Sequence, residues 1–155
     1  MVCINNILTE FICAYAVYRE FEAFTRISIF IKEPTVKSWL SILENSYIIH
    51  FLKPDTNNLG RSIVKTPKLY FVDSGLLCHL LRLESKEDLL LSKYKGAVVE
   101  TCAVAEMLKN RMNQAKKPNL TFYRDSNGFE VDTIADWKHT FAVEIKSSSE
   151  AVCKH

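Results

Sequence analysis

The chain has 155 residues, 48% apolar and 25% charged, the balance of a folded domain and not of a disordered or collagen-like chain. Its 20 Lys and Arg against 18 Asp and Glu leave a formal charge of +2, so any nucleic-acid partner must be argued from local patches. Only 4 Gly and 4 Pro argue against an all-β chain built on tight turns.

The most apolar stretch, Val2 to Tyr18, is interrupted by Asn5, Asn6, Thr9 and Glu10. It falls short of the roughly 20 apolar residues that a bilayer span needs. No basic residue follows the initiator to precede it, which disfavours a signal peptide. The cysteines are Cys3, Cys13, Cys78, Cys102 and Cys153, with no C-x-x-C pair and no His at zinc-finger spacing. They read as reduced thiols of a cytoplasmic protein without membrane contact.

Residues 1–33 mix aromatic and β-branched side chains without a clean period and are expected to be loosely helical. Pro34 and Thr35 open a helix in which Val36, Leu40 and Leu43 recur at helical spacing with Trp39 beside them, and Asn45-Ser46 stops it. Tyr47 to Leu52 is a short strand bounded by Pro54. Asp55 to Gly60 is a turn-rich loop, and Ile63 to Val72 is a second strand interrupted at Pro67. Helix, strand, loop, strand is the order of a winged-helix module.

A helix is expected from Asp73 or Ser74 to about Leu83, with Ser74 as its cap. The polar segment Glu84 to Asp88 leads into Leu89-Leu90-Leu91. A longer helix, Lys95 to Met112, carries Ala97, Val98, Val104, Ala105, Leu108 and Met112 on one broad face. The last third is β: Leu120 to Arg124, a turn at Asp125-Ser126-Asn127-Gly128, a return strand Phe129 to Ala135, and a third strand Thr140 to Lys146. The fold class is therefore α/β (α+β), with a winged-helix-like segment over 34–75 and a helix-plus-three-strand domain over 76–155. That domain reads as truncated, since neither a closing helix nor a fourth strand follows.

Strand alternation groups Glu130, Asp132, Ile134 and Asp136 on one face and Phe129, Val131 and Thr133 on the other. The same rule turns Glu144 and Lys146 one way and Val143 and Ile145 towards the core. If the strands are neighbours, Asp132, Glu144 and Lys146 converge, and Glu100 can join from the preceding helix. Carboxylates at that spacing suit Mg²⁺, which prefers hard oxygen ligands and keeps waters for substrate and nucleophile. A lysine two residues after a carboxylate can orient or deprotonate the attacking water, or hold a phosphate. The alternative is ordinary: acidic residues on strands are often solvated outer-face residues, and E-x-K recurs by chance. Glu130 can support Asp132, or pair with Arg124 across the hairpin.

Asp132, eleven intervening residues and then Glu144-Ile145-Lys146, after a helix bearing Glu100, resembles the PD-(D/E)xK nuclease superfamily, whose fold is restriction-endonuclease-like. More closely, Thr35 to Glu44 followed by Tyr47-Ile48-Ile49 is similar to the DUF4143 family. So are Asn58-Leu59-Gly60-Arg61, Lys65 to Phe71, Asp73-Ser74-Gly75-Leu76, Lys95 to Glu100, Tyr123 to Asp132 and Val143 to Ser147. The likeness runs in order from Pro34 to Glu150. It implies the C-terminal part of a prokaryotic protein that carries an AAA-type ATPase domain ahead of a winged-helix segment and a nuclease-like domain. It also implies Glu100, Asp132, Glu144 and Lys146 as catalytic residues, with Mg²⁺ held by Asp132, Glu144 and Glu100. The chain departs from that pattern in lacking a G-x-x-x-x-G-K-[ST] loop, so no ATP site is expected, and in residues 1–33, which match poorly. A fragment is the expectation.

Two features point to DNA. The helix from Pro34 to Glu44 can present Lys37, Ser38 and Ser41 to phosphates or bases, although Trp39 and Leu40 mark much of it as core. The segment 53–68 carries Lys53, Arg61, Lys65 and Lys68 against Asp55, and reads equally as a phosphate-binding wing or as a face for an acidic protein neighbour such as an ATPase domain. The four histidines, His50, His79, His139 and His155, are scattered and fit no ligand set. The leading reading is a nuclease-like module, with metal-dependent phosphodiester hydrolysis on nucleic acid. Its rival is a non-catalytic DNA-binding or protein-interaction domain that keeps the fold.

Overall fold

A computed structural model describes residues 33–56 and 65–147. The expected N-terminal helical segment, Arg61 and the chain end after 147 lie outside the described residues. The elements are α1 (Glu33–Asn45), β1 (Ile49–Pro54), β2 (Lys68–Phe71), α2 (Ser74–Leu80), α3 (Lys86–Leu91), α4 (Lys95–Asn113), β3 (Leu120–Arg124), β4 (Glu130–Asp136) and β5 (Thr140–Val143). The class is α+β, as the alternation of periodicities indicates.

The five strands make one mixed sheet in the order β2-β1-β3-β4-β5. The β1–β2 pair is antiparallel, the hairpin expected of a winged segment. Yet β1 also pairs in parallel with β3, Lys53 opposite Thr121 and Pro54 opposite Phe122, and the Asp55 N–H extends that edge to the Phe122 carbonyl at 2.7 Å. The hairpin is thus part of the same sheet as β3–β5, and the two expected lobes share one layer. Proline ends β1 without loss, because the next residue supplies the donor.

Local chemistry accounts for most boundaries. α1 buries Val36 and packs Leu40 and Leu43 against the same cluster. It closes with the Ile48 N–H on the Leu43 carbonyl and the Tyr47 N–H on that of Glu44, while Tyr47 takes the left-handed φ of 56°. That is a Schellman ending with a tyrosine where glycine is usual. α2 is capped by Asp73, not by Ser74: its Oδ1 accepts from the N–H of Gly75 at 2.7 Å and of Leu76 at 3.1 Å. α3 begins inside the polar segment Glu84 to Asp88 and runs through the three leucines that follow it. Ser85 and Asp88 form a reciprocal capping box there, a start signal legible as S-x-x-D.

Two apolar clusters hold the sheet. One joins Val36, Ile49, Leu69, Phe71, Leu77 and Val98, and the other joins Leu52, Tyr70, Val104, Leu108, Leu120, Phe122 and Ala135. Leu52 and Val104 are fully buried, so α4 lies on the sheet face that also carries Tyr70 and Phe122. Ile145 packs against this second cluster, the side to which alternation assigned it.

Alternation fails once, inside β4. Thr121 pairs with Ile134, but Tyr123 pairs with Val131, so Asp132 and Thr133 together oppose Phe122. The extra residue is a β-bulge, which re-aims side chains on one side of it. Thr133 and Ala135 are buried on the α4 side, and past the bulge Asp132 and Glu130 point to that side as well.

Replacing Tyr47 by glycine should stabilise the fold by about 1 kcal/mol, because it removes the left-handed strain of a side chain that is 66% exposed. Urea unfolding checks this, and an unchanged or lower midpoint would contradict the reading of the α1 ending.

Candidate acidic site

β2 is buried along its whole length, and it contains a lysine. Lys68 and Tyr70 alternate with Leu69 and Phe71, so both turn to the α4 side. A buried ammonium is costly unless carboxylates meet it. Three do. Lys68 Nζ lies 2.6 Å from Glu130 Oε1, 3.5 Å from Glu100 Oε1 and 3.8 Å from Asp132 Oδ1, with a side chain only 5% exposed. It also stands 5.1 Å from the centre of the Phe122 ring, within cation–π range. Glu100, buried in the second turn of α4, accepts a 2.5 Å hydrogen bond from the Tyr70 hydroxyl.

The Asp132 carboxylate has a second task. Its Oδ2 accepts the Ile145 N–H at 2.8 Å, just beyond the last residue of β5. The β4–β5 ladder stops at Thr133 opposite Val143, and the Asp132 side chain takes the place of the next backbone acceptor. The segment Glu144-Ile145-Lys146 is therefore tied to Asp132, but through its backbone. The Glu144 and Lys146 side chains pair with each other at 65% and 66% exposure. That pairing raises the Lys146 pKa above its ordinary value, first through the hydrogen bond to Glu144, then through the charge of Glu144, with a smaller contribution from Asp132. Lys146 is a cation at neutral pH and has no proton vacancy with which to act as a base.

Of the residues expected to form the site, Glu100 and Asp132 meet at Lys68, whereas the side chains of Glu144 and Lys146 stand apart in solvent. The predicted convergence assumed that β5 runs to Lys146, but regular pairing ends at Val143. Among the described residues no group of three or more His, Cys, Asp or Glu is placed to hold a metal ion. The position between the carboxylates is also taken by the Lys68 ammonium, 2.6–3.8 Å from one oxygen of each. As arranged, these residues do not fit a divalent ion.

The charge pattern of the sequence puts Lys68 on a solvent-facing wing; at 4% exposure it faces the interior. A signal for this exists, since a lysine between Leu69 and Pro67 in a strand with Tyr70 and Phe71 needs a buried carboxylate. Glu130 lies 3.7 Å from Arg124, the cross-hairpin pairing open to it, and closer still to Lys68. Lys37, Lys53 and Lys65 are exposed, and Lys37 and Lys65 line one groove of about 470 Å³ with Leu40, Phe51 and Pro67.

Tyr70→Phe should cost about 1–3 kcal/mol, because it leaves a buried Glu100 oxygen short of a donor. Denaturant unfolding measures this; a change within error would show that the hydroxyl carries no weight in the cluster.

No curated protein and no solved structure matches this chain. Among the described residues, no helix is long and apolar enough to cross a membrane. Residues 16–87 match the family described as Domain of unknown function (DUF8612), so Lys68 and Tyr70 belong to that match. Residues 95–154, from the first residue of α4 and including Glu100, Asp132, Glu144 and Lys146, match the family described as Domain of unknown function (DUF4143), a narrower span than the likeness from Pro34 to Glu150.

Proposed function

We propose that this chain is a nuclease-like module that associates with nucleic acid without cutting it. The observation that carries this reading is the buried Lys68 ammonium shared by Glu100, Glu130 and Asp132, because carboxylates that already hold a cation of the protein itself are poorer ligands for a catalytic ion. Binding would use the side of β1 and α1 away from the cluster. Lys37, Lys53 and Lys65 are exposed there, and lysines that neutralise phosphates release counterions on binding. An AAA-type ATPase domain, which the family likeness brings with it, would act in the same protein. The free thiols Cys78 and Cys102 accord with a cytoplasmic setting.

A second reading keeps Mg²⁺-dependent phosphodiester hydrolysis. It is favoured by one hydrogen bond, from the Ile145 N–H to Asp132, which brings the Asp132 carboxylate to the Glu144-Ile145-Lys146 segment. For that reading, Glu144 would have to leave Lys146 and Lys68 would have to leave Asp132.

Incubating the full chain with end-labelled single- and double-stranded DNA and RNA in Mg²⁺ or Mn²⁺ separates the two. Salt-dependent binding without cleavage is expected. Lys53→Ala with Lys65→Ala should weaken binding and lower the salt slope by about 0.9 for each phosphate that is no longer neutralised. Cleavage that disappears in Asp132→Asn would establish the hydrolytic reading instead, and a wild type that binds no nucleic acid would remove the binding one.

A further inference from the structure

We infer that Lys68 is the resident cation of the acidic centre, a side-chain ammonium that substitutes for a divalent ion and excludes it. The inference deepens the proposed non-cutting function and rests on it in one respect: both take the carboxylates to be engaged by a cation of the protein itself.

Three acidic residues share one ammonium. An ammonium has three protons, and Lys68 Nζ has an oxygen of each of the three within 4 Å. These residues come from different places in the chain, α4 for Glu100 and β4 for Glu130 and Asp132, so the lysine is a junction between elements. Its methylene stem sits in a fully buried strand and its head over the Phe122 ring, so it has little room to swing into solvent. A divalent ion entering this cluster would share it with a unit positive charge a few ångströms away in a medium of low polarity, a repulsion far stronger than in water. Two carboxylates are also committed elsewhere, Glu100 to the Tyr70 hydroxyl and Asp132 to the Ile145 N–H. The bulge in β4 fits this role, because regular pairing would aim Asp132 away from Lys68.

If the ammonium holds the place of a metal, removing it should create a vacancy that a metal can fill. Lys68→Met keeps most of the length and the apolar stem and deletes the charge. The experiment measures Mn²⁺ binding to the full chain by electron paramagnetic resonance, and thermal unfolding with and without millimolar Mn²⁺. The wild type should show neither a site that depends on Asp132 nor a shift in Tm. Lys68→Met should bind Mn²⁺ about tenfold or more tightly than the wild type, as expected when a like charge is removed from a buried cluster, and lose that gain in Lys68→Met with Asp132→Asn. Should Lys68→Met fail to fold in metal-free buffer, refolding by Mn²⁺ but not by an equal concentration of K⁺ would support the substitution, and failure with both would overturn it. Lys146→Met should leave Mn²⁺ binding at the wild-type level, since that lysine is exposed. Wild-type binding of Mn²⁺ abolished by Asp132→Asn, or a folded Lys68→Met no tighter than the wild type, would overturn the inference. Cleavage of nucleic acid would count against the proposed function alone.

Discussion

One buried ammonium organises this molecule. Lys68 sits in a strand buried along its whole length, and the cost of placing its charge there is met only because Glu100, Glu130 and Asp132 arrive from α4 and β4. The requirement runs both ways, since three carboxylates crowded under a helix would repel one another without it. β2 therefore has to lie where α4 and β4 can both reach Lys68, although it is separated from β4 in the sheet by β1 and β3. Around it the apolar residues Leu52, Tyr70, Val104 and Phe122 provide the burial that makes the pairing strong.

Much of the fold is legible in the sequence because its signals are local. The apolar period of α4, the Asn127-Gly128 turn before β4 and the helical spacing of Val36, Leu40 and Leu43 each depend on neighbours along the chain. The Asp73 cap and the Ser85–Asp88 capping box are equally local, but they compete with similar residues nearby, and the wrong one is easily chosen. The joining of β1 to β3 is not local. Nothing in the spacing of residues 49–54 indicates that a strand some 70 positions away will run parallel to it, so a hairpin expected to stand in its own lobe belongs instead to a single sheet.

The candidate site is legible in part for a related reason. Glu100 and Asp132 meet, as the pattern suggests, but they meet a lysine that a count of charges assigns to a basic surface. Charge counted along a segment cannot tell an exposed lysine from an interior one; the neighbours Leu69, Tyr70 and Phe71 can. Alternation also assumes unbroken pairing. The bulge at Asp132-Thr133 and the end of β5 at Val143 each break it, and they fall on the very residues to which the rule applies.

Lys68 and its carboxylates should behave energetically as one unit. A double-mutant cycle of Lys68→Met and Glu130→Gln, read by urea unfolding, measures this directly, with Glu130 the most accessible of the three acidic partners. A coupling energy above about 1 kcal/mol is the predicted result, the range of groups sharing one buried network. Additivity within about 0.3 kcal/mol, as for independent sites, would contradict it.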